Sequence, residues 1–467
     1  MKLGALTVDA LVAEIGSTTT VVSAFGGLGQ GDPRLLGQAT ALTTTTEGDV
    51  TLGLRAARAR LEDMLGSVEP RLFLATSSAA GGLRMTVHGL TARMTARAAE
   101  EAALGAGAVV KYQTVGRLRD GDLARIAQAA PSLILLAGGV EGGDCDAVLE
   151  NAHRLAELSI RPIVVYGGNS VVAGEAAEFL RSAGFRVRVT SNVYPEVDRL
   201  DILPARAAIH DAFEEHITHA PGMERIGELV NGRILPTPGA VLMAVEALAA
   251  RVGDLVAVDV GGATTDVHSV TDGSPEIAAL QTEPQPHSRR TVEGDLGTFV
   301  SAMHVAEMCE ERGRPSVLPP ALPAKPSEIE AARLLARKAA VTAVRRHAGR
   351  LEYVYTPIGR KTVPRGRDLT ACRLLIGTGG ALTRLPGGVE ILEASRGRNG
   401  GDRLLPPFEA RCVLDNDYVF AACGALLSRF SEQVVVRLML RSIEAGVAGG
   451  PDAAVGSQVV VDAEVDG

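Results

Sequence analysis

The sequence has no tryptophan, and aromatic residues make up only 3% of its 467 positions. A hydrophobic fraction of 46% is nevertheless ample for a buried core, which must be built from valine, leucine, isoleucine and alanine. Acidic residues outnumber lysine and arginine, and the net charge of −8 argues against the basic surface expected of a nucleic-acid-binding protein. We therefore expect no nucleic acid among the partners.

The five cysteines are scattered, and no C-x-x-C pair occurs, so neither a zinc ribbon nor a cluster-binding loop is indicated. This cysteine usage is typical of a reducing compartment. No apolar run approaches the ~20 residues needed to span a bilayer. Asp9 and Glu14 interrupt the segment in which a signal peptide needs its apolar core. These absences predict a cytoplasmic protein with no membrane partner.

Two common nucleotide-binding signatures are also missing. The chain contains no Gly-Lys dipeptide, which excludes a Walker phosphate loop. A glycine-rich run at 377–380 follows an apolar segment, but Leu382 stands where a Rossmann fingerprint needs its last glycine. The run is either an adenosine-binding turn or an ordinary tight turn.

What the chain does contain is a pair of near-copies, EIGSTTT at 14–20 and DVGGATTD at 259–266. Each follows an apolar run with a carboxylate, then glycine, then clustered threonines. Glu14 and Asp259 are 245 positions apart, and the triplet Glu-Gly-Asp recurs at 47–49 and 293–295 with an offset of 246. This spacing is too long for a solenoid repeat. It predicts an ancient duplication, with two lobes that aim matching turns at one ligand.

The composition of the two turns is suited to phosphate. Glycine lets consecutive backbone N–H groups converge on oxygen atoms, and threonine adds short hydroxyl donors. Carboxylates at the strand ends suit the waters of a Mg²⁺ ion that bridges two phosphates. Glu14 and Asp259 are therefore candidate catalytic carboxylates and candidate metal organisers. The plainer alternative is two strand-to-turn connections in which glycine is purely steric.

Short apolar runs that end near glycine, such as 133–137, 163–166 and 255–258, predict buried strands. Alanine-rich helical stretches alternate with them, which indicates an α/β fold with a largely parallel sheet and ligand loops at the strand ends. The predicted units are a first lobe at 1–92, an inserted α/β subdomain at 93–219, a second lobe at 220–445 and a flexible tail at 446–467.

The order of these segments resembles the superfamily that joins sugar and acetate kinases, heat-shock chaperone ATPases and actin. Segments 240–251 and 417–424 match its two connecting helices. More narrowly, the chain resembles the MutL family associated with glutamate mutase. The stretches that carry this resemblance are TTTTEGDVTLGL (43–54), TSSAAGGLRM (76–85), LLAGGVEGGD (135–144), VDVGGATTDVHSV (258–270), RTVEGDLG (290–297) and LLIGTGGALT (374–383).

The resemblance implies duplicated actin-like, or ribonuclease H-like, ATPase lobes around a nucleotide cleft. It also implies an accessory protein that uses ATP and Mg²⁺ to reactivate an adenosylcobalamin-dependent mutase, whose subunits are its partners. One departure stands out, because the superfamily usually has aspartate where Glu14 stands. By resemblance, the first phosphate turn is Gly16, Ser17, Thr18 and Thr19, the second is Gly261, Gly262, Thr264 and Thr265, and the adenosine turn is Gly377, Gly379 and Gly380. The resemblance also places Asp266 near the metal with Asp259, which makes Asp266 the third candidate catalytic carboxylate.

Two other functions fit the same scaffold at this point. A small-molecule kinase would form its substrate pocket with the inserted region. An actin-like polymerising protein would use the same cleft to control assembly. An iron–sulfur activator on this scaffold lacks support, because suitable paired cysteines are missing. No general base for hydrolysis is identified.

Overall fold

The computed structural model describes residues 5–44, 49–78, 83–217, 223–311, 314–356, 359–397 and 401–444. Parts of the motifs at 43–54 and 76–85 lie outside the described residues, as does the tail predicted at 446–467. No helix within the described ranges has both the length and the apolar character needed to span a membrane.

The strands are β1 (Leu6–Val8), β2 (Ala10–Ile15), β3 (Thr19–Gly26), β4 (Arg34–Leu42), β5 (Val68–Pro70), β6 (Phe73–Ser77), β7 (Leu83–Gly89), β8 (Ala108–Val115), β9 (Leu133–Leu136), β10 (Ile163–Tyr166), β11 (Val187–Val189), β12 (Leu235–Pro236), β13 (Leu255–Val260), β14 (Thr265–Val270), β15 (Ser288–Glu293), β16 (Arg350–Thr356), β17 (Gly359–Arg365), β18 (Leu374–Thr378) and β19 (Arg411–Leu414). The helices are α1 (Thr51–Leu65), α2 (Thr95–Gly105), α3 (Asp120–Ala129), α4 (Asp146–Ala156), α5 (Ala173–Ser182), α6 (Leu203–Ile217), α7 (Met223–Leu229), α8 (Thr237–Val252), α9 (Pro275–Ala278), α10 (Ala302–Glu307), α11 (Pro326–His347), α12 (Gly380–Thr383), α13 (Gly388–Glu393), α14 (Phe420–Leu426) and α15 (Glu432–Glu444).

Two five-stranded sheets share one topology, which confirms the duplication predicted from the near-copies. The first has the order β12-β6-β2-β3-β4 and the second the order β19-β18-β13-β14-β15. In both, three strands form an antiparallel meander and two more strands add in parallel on the other side. The fold is therefore the predicted α/β architecture with duplicated actin-like lobes.

The strand registers place the repeated carboxylates at equivalent points. Glu14 pairs with Thr76 on the neighbouring parallel strand of the first sheet. Asp259 pairs with Thr378 on the corresponding strand of the second sheet. Each carboxylate thus precedes its turn by two residues and has a threonine beside it at the carboxyl end of a parallel pair, where α/β sheets bind ligands.

A third sheet forms the inserted subdomain, with five parallel strands in the order β8-β7-β9-β10-β11. It enters the chain between β6 and β12, which are neighbours in the first-lobe sheet. The strand at Leu83 already belongs to the inserted sheet, before the limit predicted at 93. The chain returns to the sheet of the first lobe only at β12, which begins at Leu235, after the limit predicted at 219. The difference arises because sheet membership depends on long-range pairing, which local patterns do not reveal.

The predicted connecting helices correspond to α8 and α14, which cross at very short range. Proline in the first turn of α8 and Gly253 just past its end, at φ +84°, match the usual start and stop of a helix. A Cβ atom on Gly424 would overlap the carbonyl of Ala240, so the two backbones touch. Small residues therefore hold the helices at the centre of the molecule, against a core rich in valine, leucine and alanine.

Candidate functional site

The two near-copies form turns with the same internal hydrogen bond. The Gly16 N–H donates to the Thr19 carbonyl over 2.9 Å, and the Gly261 N–H donates to the Thr264 carbonyl over 2.9 Å. Each turn joins the first two strands of its sheet, β2 to β3 and β13 to β14. The repeated sequence is thus a repeated backbone geometry.

The two turns also meet each other. A Cβ atom built on Gly262 would lie 2.7 Å from the Thr18 hydroxyl oxygen, so only glycine permits this approach. The first and second turns therefore line one shared cleft between the lobes. Ser17 is exposed beside it, and its hydroxyl donates to the Ser78 carbonyl over 2.9 Å.

The threonines of the second turn have different surroundings. Thr264 is half-buried, and its hydroxyl donates to Asp266 over 3.1 Å. Thr265 is fully buried, and its hydroxyl donates to the Leu296 carbonyl over 2.5 Å. The hydroxyl protons of Thr264 and Thr265 are thus both engaged within the protein, so backbone N–H groups are the donors that the second turn offers to the cleft.

The predicted adenosine turn lies directly beside Asp259. Gly379 has φ +84°, and a Cβ atom there would overlap the Asp259 carboxylate and the backbone of Val260. Gly380 is exposed and opens α12. Gly377 differs from these two, because it lies within β18, where a Cβ atom would meet the side chains of three leucines at 2.8–3.2 Å. Its position indicates a packing constraint within the second lobe.

Glu14 and Asp259 form the acidic centre of the cleft. Burial raises the pKa of Glu14 to about 7, although a hydrogen bond from Tyr418 opposes the rise. Burial also raises the pKa of Asp259 well above its usual range, and the negative charges of Asp266 and Glu14 add to the effect. Within the described residues, the Asp259 side chain has no hydrogen-bond or ion-pair partner.

These carboxylates fit a magnesium ion that is bound partly by water. Mg²⁺ usually takes one or two carboxylates together with phosphate oxygens and several waters. No group of three or more histidine, cysteine, aspartate or glutamate side chains with metal-binding geometry occurs in the described part of the chain. A dedicated protein cage is thus lacking there, whereas two mutually repelling, half-buried carboxylates beside phosphate-type turns would be stabilised by a cation.

Asp266 has a different environment from the other two candidate carboxylates. Arg290 is fully buried and donates its Nε to Asp266 over 2.7 Å. The same guanidinium donates to the carbonyls of Leu104 and Ala108 in the inserted subdomain, over 2.9 and 2.8 Å. The Asp266 charge is therefore compensated inside the protein, and the pair ties the second lobe to α2 and β8.

Sequence reasoning missed Tyr418, which projects from the second lobe into the cleft. Its hydroxyl donates to Glu14 Oε1 over 2.9 Å, and its backbone has φ +52°, which is uncommon for an aromatic residue. The Arg384 guanidinium lies 5.7 Å from the ring centroid and also hydrogen-bonds Gln38 of the first lobe. No local motif signals these contacts, since they join distant parts of the chain.

Comparison with known proteins gives one family and one curated relative. A family model described as MutL protein matches residues 10–443. Protein MutL of Clostridium tetanomorphum is 35% identical over 455 residues, covering 91% of this chain and 97% of that protein.

Solved structures give remote likenesses only. Nucleotide-free acetone carboxylase is 12% identical with a TM-score of 0.37, covering 90% of this chain and 70% of that one. Nucleotide-free diol dehydratase-reactivating factor is 10% identical with a TM-score of 0.32, covering 90% and 99%. The activator of 2-hydroxyisocaproyl-CoA dehydratase from Clostridium difficile, with bound ADPNP, is 9% identical with a TM-score of 0.28, covering 95% and 99%. Likenesses at this level carry no information about activity.

Proposed function

Because the chain belongs to the MutL family, the glutamate-mutase-associated family that its motifs predict, we propose that it is an ATP-dependent reactivating protein for an adenosylcobalamin-dependent mutase. The observation that carries the nucleotide part of this proposal is the contact between the two repeated turns, with Thr18 against Gly262. Two lobes that touch through phosphate-type turns supply a site that neither lobe supplies alone.

In this proposal the triphosphate lies between the turns at 16–19 and 261–264. Backbone N–H groups and the hydroxyls of Thr18 and Thr19 serve as its donors, and the Thr264 hydroxyl can join them only by leaving Asp266. Gly379 and Gly380 let the chain pass close to the adenosine. The approach of Gly379 to Asp259 supports the idea that the nucleotide spans from the turns to the α12 end of β18.

Glu14 and Asp259 would hold the magnesium ion through its water ligands. When bound, Mg²⁺ neutralises charge on the phosphates. The chain itself contributes orientation of the triphosphate and preorganised donors, which are the usual basis of slow phosphate hydrolysis. Tyr418 orients Glu14, and this bond compensates for the extra flexibility of glutamate relative to the aspartate usual at this position.

Opening and closing of the cleft would act on the mutase. The touching backbones of α8 and α14 support a rotation of one lobe against the other, because neither helix can move inward. We place the protein in the cytoplasm, a proposal supported by its five free cysteines.

The test is a reactivation assay. An adenosylcobalamin-dependent mutase, inactivated by damage to its cofactor, is incubated with this protein, Mg²⁺, fresh coenzyme and ATP. We expect activity to return with ATP and to stay lost with ADP or with a non-hydrolysable analogue. Release of inorganic phosphate, with no transfer to an added metabolite, separates this function from that of a kinase. Failure of glutamate mutase and of aminomutases alike to recover would contradict the proposal.

A further inference from the structure

A short segment after β15 forms hydrogen bonds to the backbone carbonyl groups of the second phosphate turn. The N–H groups of Phe299 and Val300 both donate to the Gly262 carbonyl, over 2.8 and 2.7 Å. The Thr298 N–H donates to the Gly261 carbonyl over 3.1 Å, and the Ser301 hydroxyl donates to the Ala263 carbonyl over 3.0 Å. Every carbonyl from 261 to 263 is therefore held by residues 298–301, which leaves the N–H groups of the turn other than that of Gly261 to meet a ligand.

The contact is too close for one side to move alone. A Cβ atom on Gly297 would lie 2.5 Å from the carbonyl carbon and oxygen of Ala263. The backbone of Gly297 is thus in direct contact with the backbone of the turn, and no flexible side chain lies between them to absorb a shift. A change in the turn when phosphate binds must displace residues 297–301 as well.

The same segment presents apolar side chains to solvent. Phe299 is 43% exposed, Val300 65% and Met303 58%. Their neighbours Ala302 and Val305 are buried in the core of the second lobe and anchor α10 there. Large apolar groups on an anchored segment are typical of a docking surface for another protein.

Exposed carboxylates border this apolar patch. Glu307, Glu310 and Glu311 follow Met303 along the chain, and all three are exposed. Within the described residues, none of them has an ion-pair partner. Arg314 lies beside them and donates to the Ala306 carbonyl over 3.2 Å. With three carboxylates to this guanidinium, the border is predominantly acidic, which is complementary to an apolar surface with a lysine or arginine border.

We propose that residues 297–311, which we call the sensor segment, dock the mutase and report to it the state of the nucleotide site. The partner surface is apolar with a basic border. This inference rests on the proposed function for the identity of the partner, while the link between turn and segment stands on the hydrogen bonds alone. Phosphate bound at the turn shifts the sensor segment, and the shift changes the affinity of the protein for the mutase.

The link is tested first, without any partner. The chain has no tryptophan, so Phe299→Trp creates a single fluorescent reporter on the sensor segment. Phe408→Trp is the matched control, since Phe408 is 58% exposed and contacts Arg396 instead of the turn. We expect a non-hydrolysable ATP analogue with Mg²⁺ to shift the emission of the first variant and to leave the second unchanged. Unchanged emission in Phe299→Trp, with analogue binding demonstrated by calorimetry, would overturn the link.

Docking is tested with the mutase that wild-type protein reactivates. The variant combines Met303→Ser, Glu307→Lys and Glu310→Lys. The control makes equivalent changes on the inserted subdomain, namely Val197→Ser, Glu175→Lys and Glu178→Lys, all at exposed positions. We expect the dissociation constant for the mutase to rise at least tenfold in the variant only, with basal ATP hydrolysis unchanged in both proteins.

The outcomes separate the two proposals. If wild-type protein reactivates no mutase, the proposed function fails, whereas the fluorescence result still decides whether turn and segment are linked. If wild-type protein reactivates a mutase and the variant binds it equally well, the docking assignment fails. Concentration-dependent dimers in sedimentation that only the variant abolishes, with mutase binding intact, would assign the surface to a second copy of this chain and overturn the proposal.

Discussion

The Tyr418 hydroxyl donates a 2.9 Å hydrogen bond to Glu14, and so joins the second lobe to the first inside the cleft. A hydrogen bond to a charged group contributes about 1.5–3 kcal/mol. We expect Tyr418→Phe to keep the fold and to raise the Mg²⁺ concentration needed for half-maximal ATP turnover by about tenfold. Tyr353→Phe, at an exposed tyrosine, serves as the control. An unaltered Mg²⁺ requirement in Tyr418→Phe would show that the bond does not orient Glu14.

Asp259 is expected to be essential for turnover and dispensable for folding. Its carboxylate is half-buried beside other negative charges and has no partner in the described structure, so Asp259→Asn removes repulsion while it keeps the shape. We expect Mg²⁺-dependent ATP hydrolysis to fall at least ~100-fold, with an equal or higher melting temperature. Asp272→Asn, at an exposed carboxylate, should change neither quantity. Wild-type turnover in Asp259→Asn would refute the assignment.

Arg290 is expected to act chiefly through stability. Its removal leaves the Asp266 charge and two carbonyls of the inserted subdomain buried without a partner. Breaking a buried ion pair in this way costs about 3–5 kcal/mol. Arg290→Gln should show that loss in denaturant unfolding, and adding Asp266→Asn should recover part of it. Arg346→Gln, which breaks a more exposed ion pair to Glu293, should cost about 1 kcal/mol or less. Equal losses for the two single variants would contradict this account.

The crossing of α8 and α14 predicts opposite effects for two glycine-to-alanine changes. Gly424→Ala places a methyl group into the Ala240 carbonyl and should destabilise the protein by about 1–3 kcal/mol. Gly174→Ala, on the open face of α5, meets no atom and should stabilise it by about 0.5–1 kcal/mol. Thermal unfolding of both variants provides the measurement. Stability gained in Gly424→Ala would mean that the helices are further apart than described.

Buried histidines are expected to make the protein sensitive to acid. His88 is buried between the hydroxyls of Thr86 and Thr114, and burial lowers its pKa from 6.5 to about 3. The unfolded chain then binds one more proton between these values, so stability falls as pH drops from about 6.5 towards 3, by about 5 kcal/mol in all.

The measurement for His88 is the slope of unfolding free energy against pH. His88→Gln should reduce that slope by about 1.4 kcal/mol per pH unit between pH 4 and 6. His153→Gln, at an exposed histidine, should leave it unchanged. An unaltered slope in His88→Gln would mean that His88 is protonated in the folded protein.

The sequence was sufficient to predict the duplicated lobes, because the repeat at Glu14 and Asp259 lies at strand ends that the topology requires to be equivalent. It also located the two glycine–threonine turns and the connecting helices, whose glycines and small residues are local signals. Their assigned ligand roles remain predictions. Gly377 shows the limit of such signals, since a glycine needed for packing looks the same in a motif as one that faces a ligand.

The rest of the site depends on contacts between distant residues. Tyr418 and Arg290 belong to no recognisable motif. Their roles follow from contacts across the fold, Tyr418 with Glu14 of the first lobe and Arg290 with Leu104 of the inserted subdomain. The limits of the inserted subdomain differed for the same reason, since β7 and β12 are assigned by their pairing partners. Local sequence patterns therefore predict turns and strands better than they predict which surfaces meet.

The inserted subdomain follows Ser78 in the chain. The Ser78 N–H donates to the Ile15 carbonyl, and the Ser78 carbonyl accepts a hydrogen bond from the Ser17 hydroxyl. The beginning of the subdomain is thus attached to the first turn, while Arg290 joins the end of α2 to Asp266, just past the second turn. If the cleft closes on a phosphate, as proposed, a subdomain attached beside both turns must rotate with them. Its outer edge would then move further than the turns do, so a small movement around the phosphate would become a large one at the edge of the subdomain.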